Sequence, residues 1–175
     1  LNKGLMKNNT GLDLRHLMIG SEGILGVIVE VTLQLCSPPQ DTGVAVLGMP
    51  SMPAIMSLLE RLQAHSTLLA FEFFSDLALE KVINRHGLER PLTTACPFYV
   101  LLEYEHSGPE AEAVLLELIE SAIDAGTVVD AVCSQNMAQA RALWRLREDI
   151  SETIAEWTPY KNDISTSVSG VPSLI

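Results

Sequence analysis

The sequence has little positive charge. Its 175 residues contain 11 Lys and Arg against 22 Asp and Glu, which gives a formal net charge of −11 at pH 7 with histidine neutral. Proteins that bind DNA or RNA neutralise phosphates with clustered Lys and Arg, so this balance argues against a nucleic-acid partner. The excess of acidic residues favours solubility and says little about the fold.

Long hydrophobic runs are also lacking, although 47% of the residues are hydrophobic and can supply a sizeable core. No run approaches the roughly 20 apolar residues that cross a bilayer, so we expect no transmembrane segment. The chain has no Met at position 1 and no basic segment leading into an apolar stretch, which argues against a signal peptide. We expect it to be a portion of a longer protein.

Cysteine and histidine are sparse. Cys36, Cys96 and Cys133 are odd in number and far apart, and most of their neighbours are apolar. This pattern predicts buried free thiols in a reducing compartment. The four histidines show no metal-ligand spacing with one another or with the cysteines, so the sequence predicts no zinc site.

A double proline makes the strongest break in composition, within Ser37-Pro38-Pro39-Gln40-Asp41. Two successive prolines cannot continue a central strand, because proline has no backbone N–H to donate. The segment before the break is too short to bury a core of its own. We therefore predict a domain boundary here, with residues 1–38 ending one domain and residues 39–175 belonging to a second.

Strand and helix patterns alternate after the break. The predicted strands cover 44–47, 68–74, 98–104 and 127–132. The predicted helices are one capped by Ser51 and ending at Ala64, one capped by Ser75 and followed by Gly87, one over 109–125 closed by Gly126, and one over 136–157. If the short helix after Ser75 is set aside as an insertion, the order is β-α-β-β-α-β. This order predicts an α+β fold, a ferredoxin-like split βαβ antiparallel sheet with helices on one face.

A glycine-rich loop lies before the double proline, in the run Gly20-Ser21-Glu22-Gly23-Ile24-Leu25-Gly26-Val27. Closely spaced glycines let a phosphate or a ring edge approach the backbone amides, so the loop is a candidate cofactor site. We expect the apolar run over 27–33 to form a strand that holds the loop. A glycine-rich turn that binds nothing fits the same spacing.

The predicted last helix carries a second candidate site. Arg147 and Ser151 are one helical turn apart, whereas Arg145 points elsewhere and can pair with Asp149. Arg147 suits a two-pronged grip on a carboxylate with Ser151 donating alongside, and Lys161 could add a second positive charge. A solvated helix face with ordinary ion pairs is the alternative.

Both candidate sites, in this order and on either side of the break, resemble the FAD-linked oxidases of the D-lactate and D-2-hydroxyglutarate dehydrogenase group. The likeness covers nearly the whole chain. Its most specific part runs from Lys7-Asn8-Asn9-Thr10-Gly11-Leu12-Asp13-Leu14 through the glycine-rich loop. The resemblance implies that residues 1–38 are the C-terminal end of an FAD-binding domain of the PCMH type. It implies that residues 39–175 are an incomplete C-terminal cap domain that binds substrate.

The resemblance also implies roles for single residues. D-2-hydroxyglutarate dehydrogenases carry a Leu-Arg-Glu-x-Ile-Thr helix and a Tyr-Lys-x-Asp segment that contact substrate, and the matching positions are Arg147, Ser151 and Lys161. The implied FAD contacts are Gly20, Ser21, Glu22, Gly23, Gly26 and Val27. The catalytic base and the ligands of a divalent metal are expected downstream of residue 175. No metal ligand is expected within this chain.

The implied activity of the parent protein is oxidation of a D-2-hydroxy acid, of the D-lactate, D-2-hydroxyglutarate or glycolate type, to the 2-oxo acid by hydride transfer to flavin. Its partners would be the hydroxy acid and a separate electron acceptor, such as an electron-transfer flavoprotein, a quinone or a cytochrome. A cytoplasmic location is expected, with peripheral membrane attachment and a homodimer left open. The alternatives are a flavin-dependent lipid-ether synthase of similar architecture and a non-catalytic ferredoxin-like module that binds a small acid. The glycine-rich segment before Pro38 disfavours the latter.

Overall fold

The computed structural model of the protein describes residues 11–39, 41–105 and 109–175. The chain divides into two units, Leu1–Pro38 and Pro39–Ile175. The division falls inside the double proline, at the position where the sequence predicts a domain boundary. Over the described residues, no helix is long and apolar enough to cross a membrane.

The described residues of the first unit, 11–38, contain one helical turn, α1 (Arg15–Met18), followed by turns and extended chain. The strand predicted over 27–33 is wrong, because residues 11–38 form no strand. Val27 and Val29 are 84% and 93% exposed, so their apolar side chains have no packing partner there. An extended segment becomes a strand only when a neighbouring segment pairs with its backbone, and no described residue does so.

The second unit contains four strands and most of the helices. Its elements are β1 (Thr42–Met49), α2 (Met52–Gln63), β2 (Leu68–Ser75), α3 (Asp76–His86), β3 (Phe98–Glu105), α4 (Pro109–Asp124), β4 (Asp130–Cys133), α5 (Met137–Glu148), α6 (Ile150–Thr153) and α7 (Val171–Leu174), with 3₁₀ turns at Ile154–Trp157 and Val168–Gly170. The predicted strands and the first three helices of this unit are confirmed to within a few residues.

Side-chain caps set the helix starts that the sequence predicts. The Ser51 hydroxyl accepts from the Ala54 amide at 3.4 Å, and the Ser75 hydroxyl accepts from the Ala78 amide at 3.3 Å. Asn136 caps α5 by accepting from two amides at 3.0 Å. Gly87 ends α3 with a φ of 62°, a left-handed angle that glycine adopts without a steric penalty. Local sequence therefore fixes where these helices begin and end.

The sheet has the order β2-β3-β1-β4, and all three neighbouring pairs are antiparallel. This is the split βαβ order, so the predicted α+β antiparallel fold is confirmed. Strand β4 starts later than predicted. The amides of Thr127 and Val128 donate to the Ala122 carbonyl at 2.9 and 3.1 Å and so close the end of α4. They are therefore unavailable to the sheet.

Helices cover both faces of the sheet, so the prediction of helices on one face is wrong in that respect. One core joins Ala45, Leu47 and Met49 of β1 to α2 and α4. A second core joins Val44 and Val46 of the same strand to α3 and α5. Because β1 is buried on both faces, its sequence is a continuous apolar run. Such a run does not reveal how many layers of helices cover the strand.

The last predicted helix is also interrupted. It ends as α5 at Glu148 and resumes as α6 at Ile150, and Thr158 then turns the chain with a φ of 50°. Ile150 packs against the second core and Thr153 is 1% exposed. Since the apolar spacing continues across Asp149, the sequence pattern did not reveal the break.

Candidate functional site

Arg147 lies in the last turn of α5 and is bound to a residue of β2. Its Nε donates to Glu72 Oε2 at 3.0 Å, and the two side chains are 35% and 40% exposed. The guanidinium is therefore held against the sheet and does not extend freely into solvent. No described residue accepts from either terminal nitrogen of Arg147, so both can still bind a ligand carboxylate.

Ser151 and Lys161 lie together one turn beyond Arg147. Lys161 Nζ donates to the Ser151 carbonyl at 3.4 Å, and both residues are exposed. The intervening Asp149 keeps right-handed helical angles, φ −71° and ψ −5°, so the four-residue spacing from Arg147 to Ser151 stays near one turn. The structure thus places the three predicted substrate residues on one short stretch.

Arg145 and Arg147 differ as the sequence predicts. Arg145 donates to Asp149 Oδ2 from Nε at 3.1 Å and pairs with it through Nη2 at 3.0 Å. This is an ordinary pair four residues apart on one helix. Arg147 instead pairs with a residue of a different element, so its ion pair is not of the four-residue spacing within one helix.

Helix α3, which the sequence reading set aside as an insertion, supports the segment that carries Ser151. His86 Nε2 lies 3.2 Å from the buried Thr153 hydroxyl. Arg85 pairs with Glu156 at 3.1 Å, and Lys81 lies 4.8 Å from the centre of the Trp157 ring. These contacts hold α6 and the following 3₁₀ turn against α3.

Sequence reasoning missed Glu72, the partner of Arg147. The available signal was a single carboxylate inside an otherwise apolar strand, Leu68-Leu69-Ala70-Phe71-Glu72-Phe73-Phe74. A charged residue in such a strand is rarely buried without a partner. The identity of the partner depends on the tertiary fold and could not be read from the spacing.

A polar network surrounds the hydroxyl of Tyr99, a residue of the second core. Asp76 accepts from Arg90 Nη1 at 2.7 Å and from the Tyr99 hydroxyl at 3.1 Å. The Tyr99 oxygen in turn accepts from the Cys96 amide at 3.1 Å. The Arg90 hydrogen bond, aided by that from Tyr99, lowers the pKa of Asp76 below its ordinary value. The network links α3, β3 and the segment between them, so we expect it to stabilise the fold.

We expect Asp76→Asn to destabilise the protein at neutral pH, with the difference disappearing in acid. A carboxylate whose folded-state pKa is lowered contributes stability above its unfolded-state pKa and loses it as the pH falls through the folded-state value. Urea denaturation at several pH values measures the difference in the free energy of unfolding between wild type and variant. We expect this gap to be constant above pH 5 and to shrink below about pH 3.8. Glu117→Gln, on an exposed face of α4, is the control. A gap that stays constant down to pH 2 would contradict the assignment.

The cysteines are free, but not all are buried as predicted. Cys96 is buried and Cys133 is half-buried, and burial raises the pKa of both thiols, which keeps them protonated and poorly nucleophilic. Cys36 is exposed, because the extended chain around it has no packing partner in the described part of its unit. Among residues 11–39, 41–105 and 109–175, no three His, Cys, Asp or Glu side chains are grouped to hold a metal ion.

The glycine-rich loop forms a concavity in the first unit, with a volume of about 510 Å³ and a lining drawn from residues 18–28. Gly20 and Gly23 have φ angles of 79° and 82°, in the left-handed region that favours glycine. The Ser21 and Ile24 amides bond within the loop. The amides of Glu22, Gly23 and Gly26 have no acceptor among the described residues. Lys7, Asn8, Asn9 and Thr10 of the neighbouring motif lie outside those residues.

This loop carries groups that a flavin nucleotide could contact. Free backbone amides can donate to carbonyl or phosphate oxygens, and apolar side chains such as Met18 and Ile28 can contact a ring. Bare glycine backbone gives a planar group close access. The Gly20–Val27 loop is therefore a candidate for holding such a cofactor.

Residues 38–175 match the family described as FAD linked oxidases, C-terminal domain. The chain belongs to this family. The family assignment made from the sequence is thereby confirmed, and FAD is the cofactor that the family name implies. The FAD-linked oxidase C-terminal domain corresponds to the second unit, which carries Arg147, Ser151 and Lys161.

Relatives of this FAD-linked oxidase domain include D-2-hydroxyglutarate dehydrogenases. The chain is 49% identical over its full 175 residues to a D-2-hydroxyglutarate dehydrogenase of Stutzerimonas stutzeri (strain A1501) and covers 38% of that protein. It is 45% identical over its full length to one of Xanthomonas citri pv. viticola, covering 37%. It is 38% identical to the mitochondrial D-2-hydroxyglutarate dehydrogenase of Bos taurus, with 98% of the chain and 32% of that protein covered. The chain thus spans less than two fifths of the length of these relatives.

Proposed function

We propose that the parent protein is an FAD-dependent dehydrogenase of D-2-hydroxy acids, with D-2-hydroxyglutarate as the first candidate substrate. The observation that carries the proposal is Arg147, which is anchored at Nε and whose two terminal nitrogens bond to no described residue. The names of the relatives support the choice of substrate. Family membership supports the choice of cofactor.

Arg147, Ser151 and Lys161 would hold the acid. The planar fork of Arg147 matches the two oxygens of a carboxylate and fixes its plane. The Ser151 hydroxyl, which has no hydrogen-bond partner in the described part of the chain, can donate beside it. Lys161 would add an exposed ammonium group that attracts a second acidic or hydroxyl oxygen. Together these side chains would orient the carbon that bears the hydroxyl group.

The glycine-rich loop would hold the cofactor, through the free amides of Glu22, Gly23 and Gly26 and contacts with Gly20, Ser21 and Val27. When bound, FAD supplies a hydride acceptor that no amino-acid side chain can provide. We propose that residues 1–38 are the end of an FAD-binding domain of the PCMH type and that residues 39–175 are part of the cap domain. The boundary between the two units supports this division.

Each turnover releases two electrons, so the parent protein also needs an electron acceptor, and we propose a separate protein or quinone in that role.

We propose a cytoplasmic location for the parent protein. The free thiols of Cys36, Cys96 and Cys133 support a reducing compartment.

A substrate panel on the full-length protein tests this function. Purified protein is assayed with an artificial electron acceptor against D-2-hydroxyglutarate, D-lactate and glycolate, with L-2-hydroxyglutarate as the stereochemical control. We expect the highest kcat/KM with D-2-hydroxyglutarate and almost no turnover of its L isomer. A preference for glycolate would move the protein to another substrate within the class. Loaded flavin that none of these acids reduces would refute the proposal and favour a lipid-ether synthase or a non-catalytic module.

A further inference from the structure

Glu72 occupies the sheet face that carries α3 and α5. In β2 the side chain of Phe74 packs in the core on that face, whereas Phe71 and Phe73 pack in the other core. Since side chains alternate along a strand, Glu72 shares the face of Phe74. Its backbone pairs with Leu101 in the middle of the β2–β3 ladder. The carboxylate is therefore carried by a well-anchored part of the sheet.

Arg147 is less firmly fixed by its own element. It is the penultimate residue of α5, which ends at Glu148 before the interruption at Asp149. A long side chain at such a position loses considerable rotamer freedom when it is held in one geometry. The Glu72 contact restricts that freedom before any ligand arrives.

The contact uses only one edge of the guanidinium. Glu72 Oε2 accepts from Nε at 3.0 Å, and no hydrogen bond joins this carboxylate to a terminal nitrogen of Arg147 among the described residues. A bond at Nε fixes the direction in which the other end of the planar group points. The end-on fork formed by the two terminal nitrogens remains available for a bidentate bond.

We propose that Glu72 is a positioning residue for substrate, one that orients the Arg147 fork toward the substrate carboxylate. This inference rests on the proposed function, because it assumes that Arg147 binds the acid. Both side chains are more than a third exposed, so the pair contributes little to stability and its main effect is on orientation. Glu72 itself does not touch the substrate.

Three substitutions at Glu72 separate the effect of its hydrogen bond from the effect of its charge. Glu72→Ala removes both the acceptor and the charge, so the Arg147 fork is no longer oriented. Glu72→Gln keeps an acceptor oxygen and removes a negative charge that repels the incoming carboxylate. Glu72→Asp keeps the charge and withdraws the acceptor by one methylene. The three variants should therefore affect KM differently.

Steady-state kinetics on the full-length enzyme with D-2-hydroxyglutarate test this. We expect Glu72→Ala to raise KM about 10-fold, because the released Arg147 side chain must then lose its rotamer freedom when it binds the acid. Glu72→Asp should raise KM by a smaller factor, and Glu72→Gln should keep KM at or below the wild-type value. The value of kcat should stay within about twofold in all three, since binding rather than the chemical step is affected.

Two further variants isolate the role of Arg147. In an Arg147→Ala background, Glu72→Ala should have no additional effect on KM, because there is no guanidinium left to orient. Glu103→Ala is the matched control: Glu103 lies on β3 opposite Ala70, on the same sheet face as Glu72, and has no ion-pair partner among the described residues. This control should leave KM unchanged.

The outcomes separate the two proposals. If Arg147→Ala raises KM but neither Glu72→Ala nor Glu72→Asp does, the positioning role is refuted and the substrate assignment stands. If Arg147→Ala leaves KM unchanged, the substrate assignment itself fails. An equal rise in KM for the Ala and Gln variants, or a rise that persists without Arg147, would show a merely structural role. Should Glu72→Ala fail to fold, the Asp and Gln pair still decides the question.

Discussion

Arg147→Ala in the full-length enzyme should raise KM for the hydroxy acid by about 30-fold or more. Removing one partner of a desolvated, hydrogen-bonded charge pair costs about 2–5 kcal/mol, much of it from the charge left without a partner. The lower part of that range applies here, because Arg147 is 35% exposed and solvent screens part of the interaction. The variant would also leave Glu72 unpaired beside the incoming carboxylate, which adds repulsion to the lost attraction.

Arg145→Ala is the matched control for this experiment. Arg145 lies two residues earlier on the same helix and carries the same charge, but its guanidinium is bound to Asp149 and is 48% exposed. Its loss should leave KM unchanged. Arg147→Lys should give an intermediate KM, because lysine keeps the charge and loses the fork. Unchanged kinetic constants in Arg147→Ala would remove this residue from the substrate site.

Gly48→Ala should lower the free energy of unfolding by about 1–3 kcal/mol, the usual cost of adding a methyl group to a filled core. Gly48 lies in β1, where an added Cβ would stand 2.5 Å from Cys96 Sγ and 3.0 Å from Leu92 Cδ1. Cys96 and Leu92 are 3% and 6% exposed, so neither can move out of the way without disturbing its own packing. Urea denaturation of the chain measures the change.

The same substitution in a Cys96→Ala background identifies the cause. Removing the sulfur opens the space that the new methyl group needs, so the combined loss should be smaller than the sum of the two single losses. Strict additivity would show that the sulfur contact is not responsible. Wild-type stability in Gly48→Ala alone would show that the second core has spare volume at this point.

The helices and strands of the second unit could be predicted because their signals are local. Ser51, Ser75 and Asn136 cap helices within three residues of themselves, and Gly87 ends one through its own φ angle. Such interactions depend on neighbouring residues and therefore leave a direct trace in the sequence.

The features that could not be predicted depend on distant residues. The apolar run over 27–33 satisfies the pattern of a strand, but a strand also requires a pairing partner, which the pattern does not specify. The run in β1 shows burial but not the number of helix layers that produce it.

The candidate substrate site divides in the same way. The spacing of Arg147 and Ser151 along one helix was readable from the sequence, because it follows from the helical repeat. The bond from Arg147 to Glu72 was not, since 75 residues separate the two partners and only the folded sheet brings them together.

The central position of β1 affects how this chain is made on the ribosome. β1 pairs with β3 and β4 and has no ladder with β2, the next strand in sequence. Its two edges must therefore wait for Phe98–Glu105 to leave the exit tunnel before either ladder partner is available. Through that interval the nascent segment is a target for chaperone capture and for association between neighbouring polysomal chains.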